Sequence, residues 1–122
     1  MKTSKVLGNQ QILLATLRYS RTDHSTATLK KFGYFLANAI ELKSIGHDGF
    51  VYTPHGETII IYLAESHIAI ETYPEHGIVE LEISSCRPFS DTPVFRSVER
   101  FGMEILSRTV VHKTQEHKWY TS

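Results

Sequence analysis

The sequence lacks the features that several protein classes require. Cys86 is its single cysteine, which excludes an intrachain disulfide and a metal site built from several thiolates. Basic and acidic residues are balanced at 13 each, and the basic ones are scattered, so the charge pattern typical of nucleic-acid and anionic-membrane binders is missing. No apolar run approaches the roughly 18 residues of a membrane span, and residues 1–8 carry no apolar signal core. We therefore expect a cytoplasmic protein with no nucleic-acid or membrane partner.

What is present is ordinary for a globular protein. The 122 residues are 41% hydrophobic, 11% aromatic and 21% charged, which suits a chain that buries a core and keeps a polar surface. This length accommodates one compact core and leaves little room for a second. We predict a single domain over residues 1–122.

Local patterns predict two helices and six strands. Ser25 offers a helix N-cap, and an apolar stripe at three-and-four spacing carries the first helix to about residue 43. Gly33, inside this helix, marks a place where another element packs closely, and residues 46–49 are expected to break the helix. Asp91 and the following Pro93 predict the start of a second helix, with Ile105 at the end of its inner face. Runs of β-branched and apolar residues predict strands at 10–18, 50–52, 58–63, 67–72, 78–85 and 109–112.

Four of these strands follow one another with short turns between them, which predicts antiparallel pairing. The predicted fold is an α+β two-layer sandwich, a mostly antiparallel sheet with two helices on one face. The other face of such a sheet also needs a cover. A homodimer packed sheet on sheet would provide one and would shield a site between the two sheets from water.

Polar residues concentrate where two of the most apolar strands meet. Glu65 and Ser66 lie at this junction, and we expect them inside the sheet rather than on an exposed loop. The neighbouring His67 suggests a serine hydrolase. However, adjacent strand residues point to opposite faces, and no Gly-x-Ser-x-Gly elbow is present. A hydrolase is therefore disfavoured.

The same stretch contains residue types that bind metals. They are two histidines and two glutamates: His67, Glu71, Glu75 and His76. Pro74 interrupts them, so the spacing predicts no convergent set of ligands. We expect no metal site.

The motifs of this stretch resemble those of one enzyme family. They are Leu63-Ala64-Glu65-Ser66-His67, then Thr72-Tyr73-Pro74-Glu75-His76-Gly77, then Cys86. In this combination and spacing the chain is similar to the small, pyruvoyl-dependent S-adenosylmethionine decarboxylases of prokaryotes. The similarity runs without gaps from Tyr52 to Cys86.

The resemblance implies an enzyme precursor, or zymogen, that cuts itself. Ser66 would attack the carbonyl of Glu65, turn the peptide into an ester and, by β-elimination, leave a pyruvoyl group at position 66, with Thr58 assisting. This self-derived cofactor would form a Schiff base with the amine of S-adenosylmethionine and accept the electrons released on decarboxylation. Cys86 would then deliver a proton. The implied enzyme is a carbon–carbon lyase of polyamine, and specifically spermidine, biosynthesis.

The resemblance also implies how the substrate is held. Tyr52 would stack on the adenine and Glu75 would lie near the ribose. Tyr73, in the same motif as Glu75, would also contact the substrate.

Two positions depart from the family pattern. Glu71 stands where the family has the histidine that removes the α proton during processing, and an ionised carboxylate cannot donate the hydrogen bond that an imidazolium would. Arg87 stands where a glycine usually follows the cysteine. Three functions therefore stay open: a decarboxylase in which Glu71 is the processing base, a non-processing relative that serves as a binding or regulatory protein, and a pyruvoyl-dependent decarboxylase of another amino acid.

Overall fold

The computed structural model describes residues 10–19, 25–113, 116 and 118–121. The start of the chain at residues 1–8 lies outside the described residues. The helices are α1, Thr26–Ala39, and α2, Thr92–Arg100. The strands are β1 (Gln11–Tyr19), β2 (Ser44–Val51), β3 (Glu57–Leu63), β4 (Ser66–Tyr73), β5 (Ile78–Ser85), β6 (Met103–Lys113) and β7 (Trp119–Thr121).

The strands form one sheet in the order β2-β3-β4-β5-β1-β6-β7, and all neighbours are antiparallel. The two helices pack beside each other on one face, with α1 mainly against β3 and β4 and α2 against β6. The predicted two-layer α+β sandwich is confirmed. Neither helix in the described part of the chain has the length and apolar character that a membrane crossing requires.

Burial alternates along the central strands and so distinguishes the two faces of the sheet. In β3, Ile59, Ile61 and Leu63 are buried towards the helices, whereas Tyr62 turns to the other face and is 41% exposed. Leu14 of β1 lies on that same face and is 43% exposed. We call this uncovered side the open face of the sheet.

Gly33 confirms the expected close approach of α1 to the sheet. A Cβ atom at this position would lie 2.6 Å from Cγ1 of Ile61 and 3.2 Å from Cδ1 of Ile70. Real Cβ atoms do not approach other carbons so closely. The absence of a side chain therefore allows the helix to rest directly on β3 and β4.

Both helices start where the sequence predicts. Ser25 is the N-cap of α1, and its Oγ accepts a hydrogen bond from the N–H of Thr28 at 3.2 Å. Pro93 lies in the first turn of α2. Asp91 occupies the N-cap position of α2 but makes no capping hydrogen bond, and its carboxylate lies 3.6 Å from the guanidinium of Arg108 instead.

The predicted end of the first helix and start of the second strand are wrong. Helix α1 ends at Ala39, and residues 46–49 lie within β2 rather than in a break. Gly46 is opposite Tyr62 and Gly49 is opposite Ile59 in the β2–β3 ladder. Pairing with an apolar neighbour outweighs the low strand propensity of glycine here.

The last predicted strand is too short. Strand β6 begins at Met103 because it pairs with β1 along the whole length of β1. Ile105, expected on the inner face of the second helix, therefore lies in the sheet. Strand β7, which the sequence does not predict, pairs with the end of β6.

Candidate functional site

The β3–β4 hairpin turns at Ala64 and Glu65, where the polar motif lies. Leu63 and Ser66 are paired, so the chain reverses over only two residues. Glu65 has a φ of 61°, in the left-handed region that residues with side chains rarely adopt. Both turn residues are exposed, so the expectation that Glu65 lies inside the sheet is wrong. The Glu65–Ser66 peptide thus follows a strained residue at an exposed bend.

Ser66 and Cys86 meet at this end of the sheet. The backbone N–H of Cys86 donates a hydrogen bond to Oγ of Ser66 at 2.9 Å. Ser66 is the first residue of β4 and Cys86 directly follows β5, so the pairing of these neighbouring strands brings the two residues together. Both residues are half-buried. The hydroxyl that would attack the Glu65 carbonyl is therefore held beside the residue that carries the thiol.

The turn after β5 orients the Cys86 N–H. The hydroxyl of Ser85, which is 1% exposed, accepts a hydrogen bond from the N–H of Arg87 and donates one to the carbonyl of the same residue. The Arg87 guanidinium donates to the backbone carbonyl of Glu41, just beyond α1, at 2.8 Å. Arg87 thus ties the Cys86 turn to the helix layer.

Thr58 and Glu71 lie at the opposite end of the β3–β4 hairpin. They are directly across the ladder from each other. Glu71 is five positions beyond Ser66, a separation of about 16 Å along an extended strand. The two residues also differ in orientation, since Ser66 follows the alternation of the buried Ile68 whereas Glu71 is exposed on the open face. The structure brings Ser66 to Cys86 and Thr58 to Glu71, but it does not bring these two pairs together within one chain.

Two tyrosines complete the second group. Oη of Tyr52 lies 2.6 Å from Oγ1 of Thr58, and Tyr73 follows Glu71 by two positions on the same face of β4. The negative charge of Glu71, followed by desolvation and the charge of Glu80, raises the pKa of Tyr73 above that of an ordinary phenol. The Glu71 carboxylate therefore lies close to the Tyr73 phenol.

Glu75 lies beside this second group. It belongs to the short 3-10 turn Pro74–His76 that follows β4, and its side chain is exposed. Gly77 ends the turn with a φ of 67° and donates its N–H to the carbonyl of Pro74. The three residues predicted to contact substrate thus share one end of the sheet, and it is not the end that holds Ser66.

His67 cannot serve Ser66 as a base. It lies on the opposite face of β4, where its Nε2 is 3.0 Å from Oε2 of Glu82. Within the part of the chain that the structure describes, no three His, Cys, Asp or Glu side chains are grouped in a way that could hold a metal ion.

A row of carboxylates on the open face is not predicted from the sequence. Glu80 is directly opposite Glu71 and accepts a hydrogen bond from Oγ1 of Thr16 at 2.8 Å. A groove of about 280 Å³ is lined by these two glutamates, Glu71 and Glu80, together with Glu82 and Leu14. The alternation of glutamate and leucine over residues 80–82 is the signal that could have placed these carboxylates on one face.

Comparison with known proteins gives a consistent match. The family model for S-adenosylmethionine decarboxylase matches residues 21–114. An S-adenosylmethionine decarboxylase proenzyme of Archaeoglobus fulgidus is 46% identical over 46 residues, which cover 38% of this chain and 41% of that protein. A proenzyme of the same name from Pyrobaculum aerophilum is 36% identical over 75 residues, covering 61% of this chain and 58% of that protein. The first of these matches thus spans less than half of the relative's length.

The fold is also that of a solved structure. The crystal structure of the adenosylmethionine decarboxylase from Aquifex aeolicus superposes with a TM-score of 0.63 at 20% sequence identity. The superposition covers 84% of this chain and 88% of that one. At this identity the likeness concerns the fold alone.

Proposed function

Because the chain belongs to the S-adenosylmethionine decarboxylase family, we propose that it is a self-processing, pyruvoyl-dependent decarboxylase of S-adenosylmethionine that acts in spermidine biosynthesis. The observation that carries this proposal is the 2.9 Å hydrogen bond from the Cys86 N–H to Oγ of Ser66. It joins the residue that would become the cofactor to the residue that would donate a proton in decarboxylation. Residues 1–122 would form one domain.

The turn at Glu65 fits a cofactor made from the chain itself. Oγ of Ser66 would attack the Glu65 carbonyl carbon, forming an ester as the C–N bond breaks and the hydroxyl proton passes to nitrogen. Loss of the α proton of residue 66 and breakage of its Cβ–Oγ bond would then release the Glu65 carboxylate. Hydrolysis of the remaining enamine would free ammonia and leave a pyruvoyl end at position 66. The left-handed conformation of Glu65 supports this reaction, because cleavage relieves the strain of the turn.

The pyruvoyl group would supply the electron-withdrawing ketone that decarboxylation of an amino acid requires. Cys86 would deliver a proton, and the contact of its backbone N–H with Ser66 supports this role. Arg87 and Ser85 would keep the Cys86 turn in place through their own hydrogen bonds.

A second copy of the chain would complete the site. Glu71 and Thr58 are too far from Ser66 in one chain, but two copies packed through their open faces, with antiparallel β4 strands, would bring the partner subunit's Glu71 over the backbone at the Ser66 end of the sheet. The exposed Leu14 and Tyr62 on the open face support such a homodimer, because its formation would bury them. Burial between two sheets would also remove water from the site.

The same arrangement would gather the substrate-binding residues. Tyr52, Tyr73 and Glu75 lie at the Glu71 end, so a homodimer would bring them to the Ser66 end of the facing copy. A tyrosine ring suits stacking on adenine, and the exposed Glu75 carboxylate suits the hydroxyls of a ribose. We also expect the protein in the cytoplasm, where the half-buried Cys86 would stay a free thiol.

One observation favours a second function. The charge of Glu71 raises the pKa of Tyr73, so its carboxylate lies beside that phenol and away from Ser66 in the single chain. A relative that never cleaves itself and only binds S-adenosylmethionine would show the same contact.

Intact-mass analysis under denaturing conditions separates the two functions. The decarboxylase predicts two fragments that break between Glu65 and Ser66, the second with a pyruvoyl end, and release of carbon dioxide from carboxyl-labelled S-adenosylmethionine. Ser66→Ala is the matched control and should stay whole. An unbroken wild-type chain that cleaves only as the Glu71→His variant would support the non-processing relative.

A further inference from the structure

We propose that a groove on the outer side of the helix layer binds small aromatic anions. This outer groove is lined mainly by Lys30, Lys31, Tyr34 and Phe35 of α1 and by Arg100 and Phe101 at the end of α2. Its volume is about 700 Å³, within the range of small-molecule sites. It lies on the side of the helices turned away from the sheet. The proposal is therefore independent of the decarboxylase site.

Three cations border the outer groove, and no carboxylate lines it. Helix α1 contributes two consecutive lysines and contains no acidic residue, and Arg100 closes the groove from the last residue of α2. Among the residues that the structure describes, neither these lysines nor Arg100 take part in an ion pair. The formal net charge of the whole chain is zero, so this is a local concentration of positive charge. It favours an anionic ligand.

The floor of the outer groove is aromatic. The rings of Phe35 and Phe101 meet nearly edge to face with centroids 5.5 Å apart, and Phe35 is 37% exposed. The Arg100 guanidinium lies 5.2 Å from the centre of the Phe35 ring. Oη of Tyr34 is 2.7 Å from Nδ1 of His47, which holds the Tyr34 ring in the wall. A planar ligand could lie against Phe35 while its anionic group contacts the cations.

These features define the chemistry of the ligand. It would carry a planar ring of one or two fused cycles and a phosphate, sulfonate or carboxylate group. S-adenosylmethionine bears a positive sulfonium, so the outer groove is not a second site for that molecule. A guanidinium that already rests on an aromatic ring is oriented before the ligand arrives, which lowers the entropic cost of binding an oxyanion.

The test is a titration of the full chain with 1-naphthyl phosphate, monitored by naphthyl fluorescence and by amide chemical shifts. Uncharged 1-naphthol is the matched ligand control. We expect saturable binding with a Kd below about 1 mM and shifts confined to α1 and the end of α2. Lys31→Gln and Arg100→Gln should each raise the Kd about tenfold, because each removes a charge-assisted hydrogen bond. Lys43 is an exposed lysine outside the groove, so Lys43→Gln should leave the Kd unchanged.

Three results would overturn the proposal. They are equal affinity for 1-naphthol, an unchanged Kd in both groove variants, and no saturation at millimolar concentrations. Added salt gives a second measurement that needs no variant, since binding driven by these exposed cations must weaken as ionic strength rises. Binding that is insensitive to salt would likewise contradict an anion site.

Discussion

Glu71 lies directly across the β3–β4 ladder from Thr58, at the far end of the hairpin from Ser66. The carboxylate proposed as processing base and the residue that must lose a proton thus share one strand but lie about 16 Å apart. An extended strand cannot shorten that distance. If Glu71 takes part in processing, it must act on the Ser66 of another copy.

Subunit complementation tests this consequence. Ser66→Ala and Glu71→Ala chains should each stay uncleaved when produced alone. Produced together, they should form mixed dimers in which the Ser66→Ala chain would supply Glu71 to the intact Ser66 of the other chain. With random pairing, about half of the Glu71→Ala chains should be cleaved, as measured by intact mass. Cleavage of Glu71→Ala alone would show that Glu71 is not the base, and no cleavage in the mixture would contradict the shared site.

Replacement of Cys86 should separate the two reactions. The hydrogen bond to Ser66 comes from the backbone of Cys86, so Cys86→Ala keeps it and self-cleavage should proceed. Decarboxylation of S-adenosylmethionine should fall by about 10²- to 10⁴-fold, because the proposed proton donor is gone. Fragment analysis and carbon dioxide release measure the two reactions on one sample. A cleaved variant with wild-type decarboxylase activity would exclude the thiol as proton donor.

The elements predicted correctly from the sequence are those with local signals. The Ser25 cap, the close contact at Gly33 and the alternation in β3 each depend on a few neighbouring residues. The start of β6 and the inclusion of residues 46–49 in β2 depend on pairing with distant strands, for which a single sequence has no local signal.

The site was predictable only in part for a similar reason. The motif spacing correctly implied that Ser66 and Cys86 are neighbours, because they terminate adjacent strands. It also suggested that Ser66, Thr58 and Glu71 act together, but a motif lists residues along the chain and carries no information about distance. Once both residues are assigned to β4, the rise per residue of a strand shows that Glu71 and Ser66 lie far apart.

The phenol of Tyr73 should report on the charge of Glu71. The Glu71 carboxylate raises the pKa of Tyr73, so Glu71→Gln should lower that pKa towards the ordinary value for tyrosine. Ring carbon shifts followed by NMR from neutral to alkaline pH measure it. Tyr19 is the internal control, since burial and then the charge of Glu57 raise its pKa, and neither depends on Glu71.

The sign of the effect follows from linkage. A phenol whose pKa is raised on folding contributes stability below its unfolded pKa, and this contribution is lost as the pH rises through the folded pKa. Wild-type protein should therefore lose slightly more stability at alkaline pH than the Glu71→Gln variant. An unchanged Tyr73 titration in the variant would contradict the contact between these two side chains.

The packing of α1 on the sheet should tolerate no side chain at Gly33. A Cβ there would lie 2.6 Å from Cγ1 of the fully buried Ile61. Overpacking costs about 1–3 kcal/mol, and the better helix propensity of alanine returns about 1 kcal/mol, so Gly33→Ala should lower the free energy of unfolding by up to about 2 kcal/mol. Urea unfolding measures this change in a Ser66→Ala background, which keeps the chain in one piece.

Gly46→Ala is the matched control, because a Cβ at position 46 meets no atom within 4 Å. It should change the free energy of unfolding by less than about 0.5 kcal/mol. Equal effects at the two positions would show that the cost arises from glycine replacement as such. A Gly33→Ala protein as stable as its parent would show that Ile61 can rotate away, and α1 would then not depend on this contact to lie against β3 and β4.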